Sequence, residues 1–148
     1  METSVGINPS YAPVYIPLAA AMLAKGDFES MLEYTDRAIR ISPNDPAMWA
    51  ILAYKGSALR GLSNLDNAIA TFERACTFPE AQHNTHLGLA VCYAEAGRLT
   101  EAAAPLARAR EIEPRLSIAY ISQTGSNSTL RNHLHWLESL RKAGLPEE

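Results

Sequence analysis

The sequence predicts an all-α fold, an array of about three antiparallel helix pairs followed by a C-terminal capping helix. Three observations predict it. Pro9, Pro43, Pro79 and Pro114 recur at intervals of 34, 36 and 35 residues. Between them the apolar residues keep helical spacing: Leu99, Ala102, Leu106, Ala109 and Ile112 fall on one stripe, as do Phe28, Met31, Leu32, Ala38 and Ile41, and again Leu65, Ala68, Phe72 and Ala75. No stretch alternates with period two for long enough to make a sheet. A regular period of this length marks stacked hairpins, because one hairpin cannot bury its own apolar face and a neighbouring hairpin completes the burial.

Taken in order, the repeats run approximately over residues 10–43, 46–79 and 80–114, and 115–148 form a partial repeat and the capping helix. All belong to a single domain. In the first repeat Pro13 and Pro17 cannot both occupy a tolerated first-turn position, so the first helix is expected to be short or bent at its start. AKGDF (24–28) is its turn, and Phe28 to Ile41 the second helix. In the next two repeats the first helices, roughly 46–60 and 80–96, are apolar enough to be buried on two sides. The turns GLSNL (61–65) and EAGRL (95–99) lead into second helices of the same kind. Pro105 lies inside the last of these and should kink it by removing a hydrogen bond. Ile7, Ile41 and Ile112 each stand two residues before their proline, whereas Phe78 is adjacent to Pro79, so that junction is offset by one. Ile7-Asn8-Pro9 is what the last turn of a preceding repeat would leave behind, and we expect either a longer protein or a lost repeat.

After Pro114, RLSIAYI (115–121) reads as a short helix and QTGSNST (123–129) as a loop. Asn127 or Ser128 is placed to cap the final helix. Its stripe is Leu130, Leu134, Leu137 and Leu140, with Arg131, His135, Glu138 and Lys142 towards water, and Trp136 at the edge as core packing or as an interface residue. Ala143-Gly144-Leu145-Pro146 is a stop signal, with Gly144 in the left-handed conformation and Leu145 folded back on Leu140.

Composition narrows the function. With 148 residues, 47% hydrophobic and 20% charged, the chain is globular rather than disordered. A net charge of −3 and the absence of a basic run disfavour a nucleic-acid partner, which clustered Lys and Arg would have to hold. Cys76 and Cys92 sit in apolar helical patterns and read as buried thiols in a reducing compartment. No Lys or Arg precedes Lys25, and the longest apolar run, Val14 to Ala24, is eleven residues and contains Pro17. The start therefore lacks a secretory n-region and the run is far short of a membrane span, so a soluble, cytoplasmic chain is expected.

No residue set announces chemistry. His83 and His86 are three apart, with Glu80 as the only third ligand in reach, and the HExxH arrangement is missing. They are read as two partly exposed helix histidines. His133 and His135 are two apart and point in different directions. Ser57, Ser63 and Ser128 lack a nucleophile elbow. The expectation is no enzyme, no metal and no cofactor.

The small residues give the pattern a family likeness. Ala19, Gly56 and Ala90 in the first helices, Ala68 and Ala102 early in the second, and Ala38, Ala75 and Ala109 near its end permit close helix approach. Tyr93, Phe28 and Phe72 are placed to fill the gaps between pairs. On these residues the chain resembles the tetratricopeptide repeat (TPR) family, over roughly 10–114, which implies a TPR-type α-solenoid. Met31 departs from the pattern where an alanine is expected, so the first pair should be spread a little. The last residues, LESLRKAGLPEE, are similar to the C-terminus of bacterial class III adenylate and guanylate cyclases that carry such repeats. That likeness implies an alternative, the regulatory end of a larger enzyme that mediates assembly or sensing.

The TPR likeness implies a non-catalytic module that binds a protein or peptide segment in a concave groove. Helical phase assigns Ile16, Ala20, Leu23, Ala53, Ser57, Arg60, Leu87, Val91 and Glu95 to its lining. TPR proteins that clamp the acidic tails of heat-shock chaperones use Lys and Asn at several of these places. Here Ile16, Ala20, Ala53, Leu87 and Val91 stand instead, and Arg60 alone is suited to a carboxylate. The expected ligand is therefore an apolar peptide or an amphipathic helix. Val14, Leu18 and Met22 on the first helix have nothing in the sequence to cover them, and are expected to drive homo-oligomer formation.

Overall fold

The structure is a computed structural model and describes residues 12–124 and 130–148. Its helices are α1 (Ala12–Lys25), α2 (Phe28–Ile41), α3 (Met48–Gly61), α4 (Leu65–Cys76), α5 (His83–Glu95), α6 (Leu99–Ile112), α7 (Ile118–Thr124) and α8 (Leu130–Ala143). No strand occurs among the described residues. α1 pairs with α2, α3 with α4 and α5 with α6; α2 nests on α3 and α4 on α5, while α1, α3 and α5 lie side by side. This is an all-α solenoid.

The three hairpin turns are built alike. Within two residues of the end of each first helix the chain adopts a left-handed conformation: Gly26 (φ 75°), Ser63 (φ 64°) and Gly97 (φ 78°). That reversal lets two amides reach back to the orphaned carbonyls of the helix end. Asp27 N donates to Met22 O at 3.0 Å, Asn64 N to Leu59 O at 2.8 Å and Arg98 N to Tyr93 O at 2.8 Å. Ser63 is the one L-residue with a side chain in this role among the three, and such a residue carries a penalty of about 1 kcal/mol there. Ser63→Gly is therefore expected to raise unfolding stability by about 0.5 kcal/mol in urea titrations, the conformational gain outweighing the looser unfolded chain.

Hairpin is joined to hairpin by Phe72. Its side chain is only 2% exposed. A β-carbon on Gly56 of α3 would lie 2.7 Å from its ring, and one on Gly88 of α5 only 2.5 Å away. The ring thus sits against two bare stretches of backbone at once. Phe28 is pressed on Gly61 in the same manner, where an added β-carbon would meet the ring at 2.4 Å. Ala68, Ala75, Ala102 and Ala109 are wholly buried, as close helix approach requires. Tyr15 anchors α1: its hydroxyl donates to Asp45 at 3.2 Å and its ring meets Tyr34 edge-on at 5.9 Å. Asp45 also accepts from the Ala47 amide at 2.8 Å, which fixes the entry to α3.

Several expectations are corrected. α1 is not short: it runs 14 residues through Pro17, whose ring is exposed on the solvent side. α6 continues on both sides of Pro105, itself buried, so the kink expected there does not end the helix. Met31 is fully buried, and α1 meets α2 less extensively than α3 meets α4. The predicted stripes are buried at their centres only, because Ile41, Leu99 and Ile112 at the helix ends are 59%, 48% and 38% exposed. Leu134 is also exposed, at 56%, and does not join the core. Ile7-Asn8-Pro9 and the caps Asn127 and Ser128 lie outside the described residues, as do the side chains of Leu130, Arg131 and His133.

The C-terminal stop forms as the sequence predicts. Gly144 has φ 107°, its amide donates to Arg141 O at 3.1 Å, and Leu145 N donates to Leu140 O at 3.0 Å. Leu145 and Leu140 are buried in one core cluster. Beyond the stop, the carbonyls of Pro146 and Glu147 accept from the amides of Ile118 and Ala119, both at 2.9 Å. The tail thereby satisfies the first turn of α7.

Candidate functional site

The side-by-side helices α1, α3 and α5 present the face to which helical phase assigned the groove. On α1 and α3, Ile16, Ala20, Leu23, Ala53 and Ser57 are half-buried. Ser57 donates to Ala53 O at 3.0 Å, so its hydroxyl is satisfied within its own helix. At the edge of α1, Val14 and Leu18 are 63% and 46% exposed, and Met22 is half-buried.

On α5 the face is covered. Every residue from Thr85 to Ala94 is buried. Leu87 and Val91, assigned to an open groove, are 3% and 0% exposed. α8 packs on α5, and its Leu137 and Leu140 belong to the same core cluster as Leu87 and Val91, together with residues of α3, α4 and α6.

A polar clasp closes the edge of this contact. Arg60 Nε donates to both oxygens of Glu95 at 3.0 and 3.1 Å, and Nη2 donates to Oε2 at 2.6 Å. Ser139 of α8 donates to the same Oε2 at 3.0 Å, and His135 Nδ1 lies 3.5 Å from it. The Arg60 guanidinium stands 5.3 Å from the centre of the Trp136 ring, in cation–π range. Arg60 and Glu95, both assigned to the groove, are therefore engaged with each other and with α8. Arg60 is not free to clamp a foreign carboxylate. Beside the clasp lies an open cleft of about 440 Å³, reached by Phe28, Ser63 and Lys142 as well.

Serine, histidine and glutamate meet here, yet the order is wrong for nucleophilic catalysis. Ser139 donates to Glu95 rather than to His135 and is 3% exposed, so the base is not set against the nucleophile. Among the described residues no three of His, Cys, Asp and Glu converge as metal ligands. His86, expected to be partly exposed, is buried, and His83 is half-buried. Burial disfavours the thiolate at both cysteines, pushing Cys76 up to about 11 and Cys92 up to about 12.

Burial, and then the charge of Arg108, hold the His86 pKa below its ordinary 6.5. The folded chain thus resists a proton that the unfolded chain accepts. Its contribution to stability is complete above about pH 6.5 and is lost as pH falls below that value. Thermal melts from pH 8 to pH 5 should show this decline, and His86→Gln should flatten it.

Residues 52–81, from the middle of α3 through α4, match the tetratricopeptide repeat family. Repeats of this family generally mediate protein–protein interaction and are typically non-catalytic. No curated protein sequence matches the chain. Among the described residues no helix is long and apolar enough to cross a membrane.

Proposed function

We propose, from the tetratricopeptide repeat at its centre, that this chain is a non-catalytic interaction module holding a peptide or helix of another protein against α1 and α3. One observation carries the reading. Ile16, Ala20, Leu23, Ala53 and Ser57 are half-buried on the very face that, on α5, already receives a helix. The face has the small and apolar side chains that such docking uses.

The test places a photoreactive amino acid at Ala53 and, separately, at exposed Ala104 on α6. Ala53 is expected to crosslink one discrete protein in cells, and Ala104 none. Ala53→Asp should then weaken the purified pair about tenfold or more, the size of effect expected from a buried contact of about 1.4 kcal/mol or more. Equal crosslinking from both positions overturns the reading.

α1 supplies a second contact in this proposal, between copies of the chain, through Val14, Leu18 and Met22. Light scattering should give an oligomer that Leu18→Glu with Met22→Glu reduces to a monomer. The cyclase-like tail supports the alternative that these contacts serve a larger enzyme, and the reading frame upstream of codon 1 decides it. Two free thiols, one of them buried, fit a cytoplasmic setting.

A further inference from the structure

We infer that α8 is a built-in competitor for the docking face: it occupies the α5 part of the groove, and the partner is an amphipathic helix of the same chemistry that takes its place. The inference rests on the proposed docking function and names the partner class for it.

Three observations set α8 on the docking face rather than in the stack. The first is register. Leu87 and Val91 stand on α5 where Ala53 and Ser57 stand on α3, and they share a core cluster with Leu137 and Leu140 of α8, whereas Ala53 and Ser57 are half-buried. The second is how α8 is stacked. α3 nests chiefly on α2, and α5 nests on α4 far more than on α3, as successive hairpins do. α8 reverses this preference: it packs chiefly on α5 and only lightly on α6. It has left the stacking position and entered the groove. The third is the polar clasp, which is specific and confined to one edge. Glu95 takes a hydroxyl from Ser139, and Arg60 takes the ring of Trp136.

These contacts define the partner. It is a helix with two leucines three apart, as Leu137 and Leu140 are, with a small hydroxyl residue just before the second and an aromatic just before the first. The paired Arg60 and Glu95 leave the site without net charge, so recognition comes from the donor offered to Glu95 and the ring offered to Arg60. An attached helix competes at an effective concentration on the order of millimolar, so a free helix at micromolar level binds only where α8 opens.

Hydrogen exchange on the unaltered chain is the first measurement. α8 amides should exchange about 100-fold faster than those of α3 and α5, reporting an opening that leaves the repeats folded. Equal protection in α8 and α5 overturns the inference, and this readout holds whether or not any variant folds. The second measurement uses a fluorescein-labelled peptide of residues 130–148. Ser139→Asp sets a carboxylate against Glu95, and this chain should take up the peptide about tenfold more tightly than the unaltered chain, through the same opening. A cooperatively folded Ser139→Asp chain that binds no more tightly also overturns it. A doubled mass of the unaltered chain that falls to monomer on Ser139→Asp, yet persists in Leu18→Glu, assigns the site to a second copy's α8 and overturns the separate partner. Crosslinking at Ala53 that continues while α8 is found locked leaves the docking function standing without this inference. Loss of the Ala53 crosslink while the peptide still binds does the reverse.

Discussion

Phe72→Ala should lower unfolding stability by about 3–5 kcal/mol, the range for deleting a fully buried aromatic whose site cannot collapse. This ring is poorly placed for compensation. It fills the space between Gly56 and Gly88, which have no side chains to move into a void. The loss is a large share of the roughly 5–15 kcal/mol that holds a domain together. Urea unfolding followed by circular dichroism should show an earlier midpoint, together with a broken or biphasic transition, because α3/α4 and α5/α6 lose their shared wedge. The reciprocal change gives a control. Gly88→Ala puts a methyl group 2.5 Å from the ring and should cost about 1–3 kcal/mol by overpacking. Combined with Phe72→Leu it should cost less than the two single changes added together, since each relieves the other's misfit. Strict additivity would show that the ring does not bridge the two glycines.

Leu87→Asp and Val91→Asp should each destabilise the fold by about 3–5 kcal/mol, as expected when a carboxyl group is placed without a partner in a dry core. On the sequence alone, these two positions would be the natural choice for a variant that blocks docking and preserves the helices. Their burial under α8 reverses that expectation. Far-ultraviolet circular dichroism at 25 °C should show lost helicity in the double variant, whereas Ala53→Asp on half-buried α3 should retain it. A double variant that melts with the parent would place Leu87 and Val91 at an open surface.

Much of the architecture is legible because it is local. Prolines recur after second helices, alanines recur where helices touch, and Gly26, Gly97 and Gly144 sit where the backbone must turn left-handed. Even the offset at Pro79 is readable, since α4 is shorter than α2 and α6. The site is less legible, because it depends on which helix lies on which. Helical phase assigns Arg60 and Glu95 to the groove, but their bond to each other spans two repeats and cannot be read from spacing. α8 over α5 is a tertiary event of the same kind. α5 is apolar around its whole circumference from Leu87 to Ala94, but so is α1 from Val14 to Ala24, so the pattern does not single out the helix on which α8 packs. A helix that is apolar all round asks for a cover on every side. Gly88 is illegible for a simpler reason: Ala90 already supplies the small residue that the repeat pattern places in this helix. Ser139 gives no signal, since a lone serine in a charged stretch looks solvated.

The tail of the chain carries one more consequence. What Pro146 and Glu147 contribute to α7 is peptide oxygen, which every amino acid possesses. The bond to α7 therefore depends on the path of the chain at these two positions, while the Glu147 side chain separately accepts from Arg141 Nε at 2.9 Å. Gly144 and Leu145, by contrast, act through their own shape, the first by turning left-handed and the second by packing into the cluster that holds Leu140.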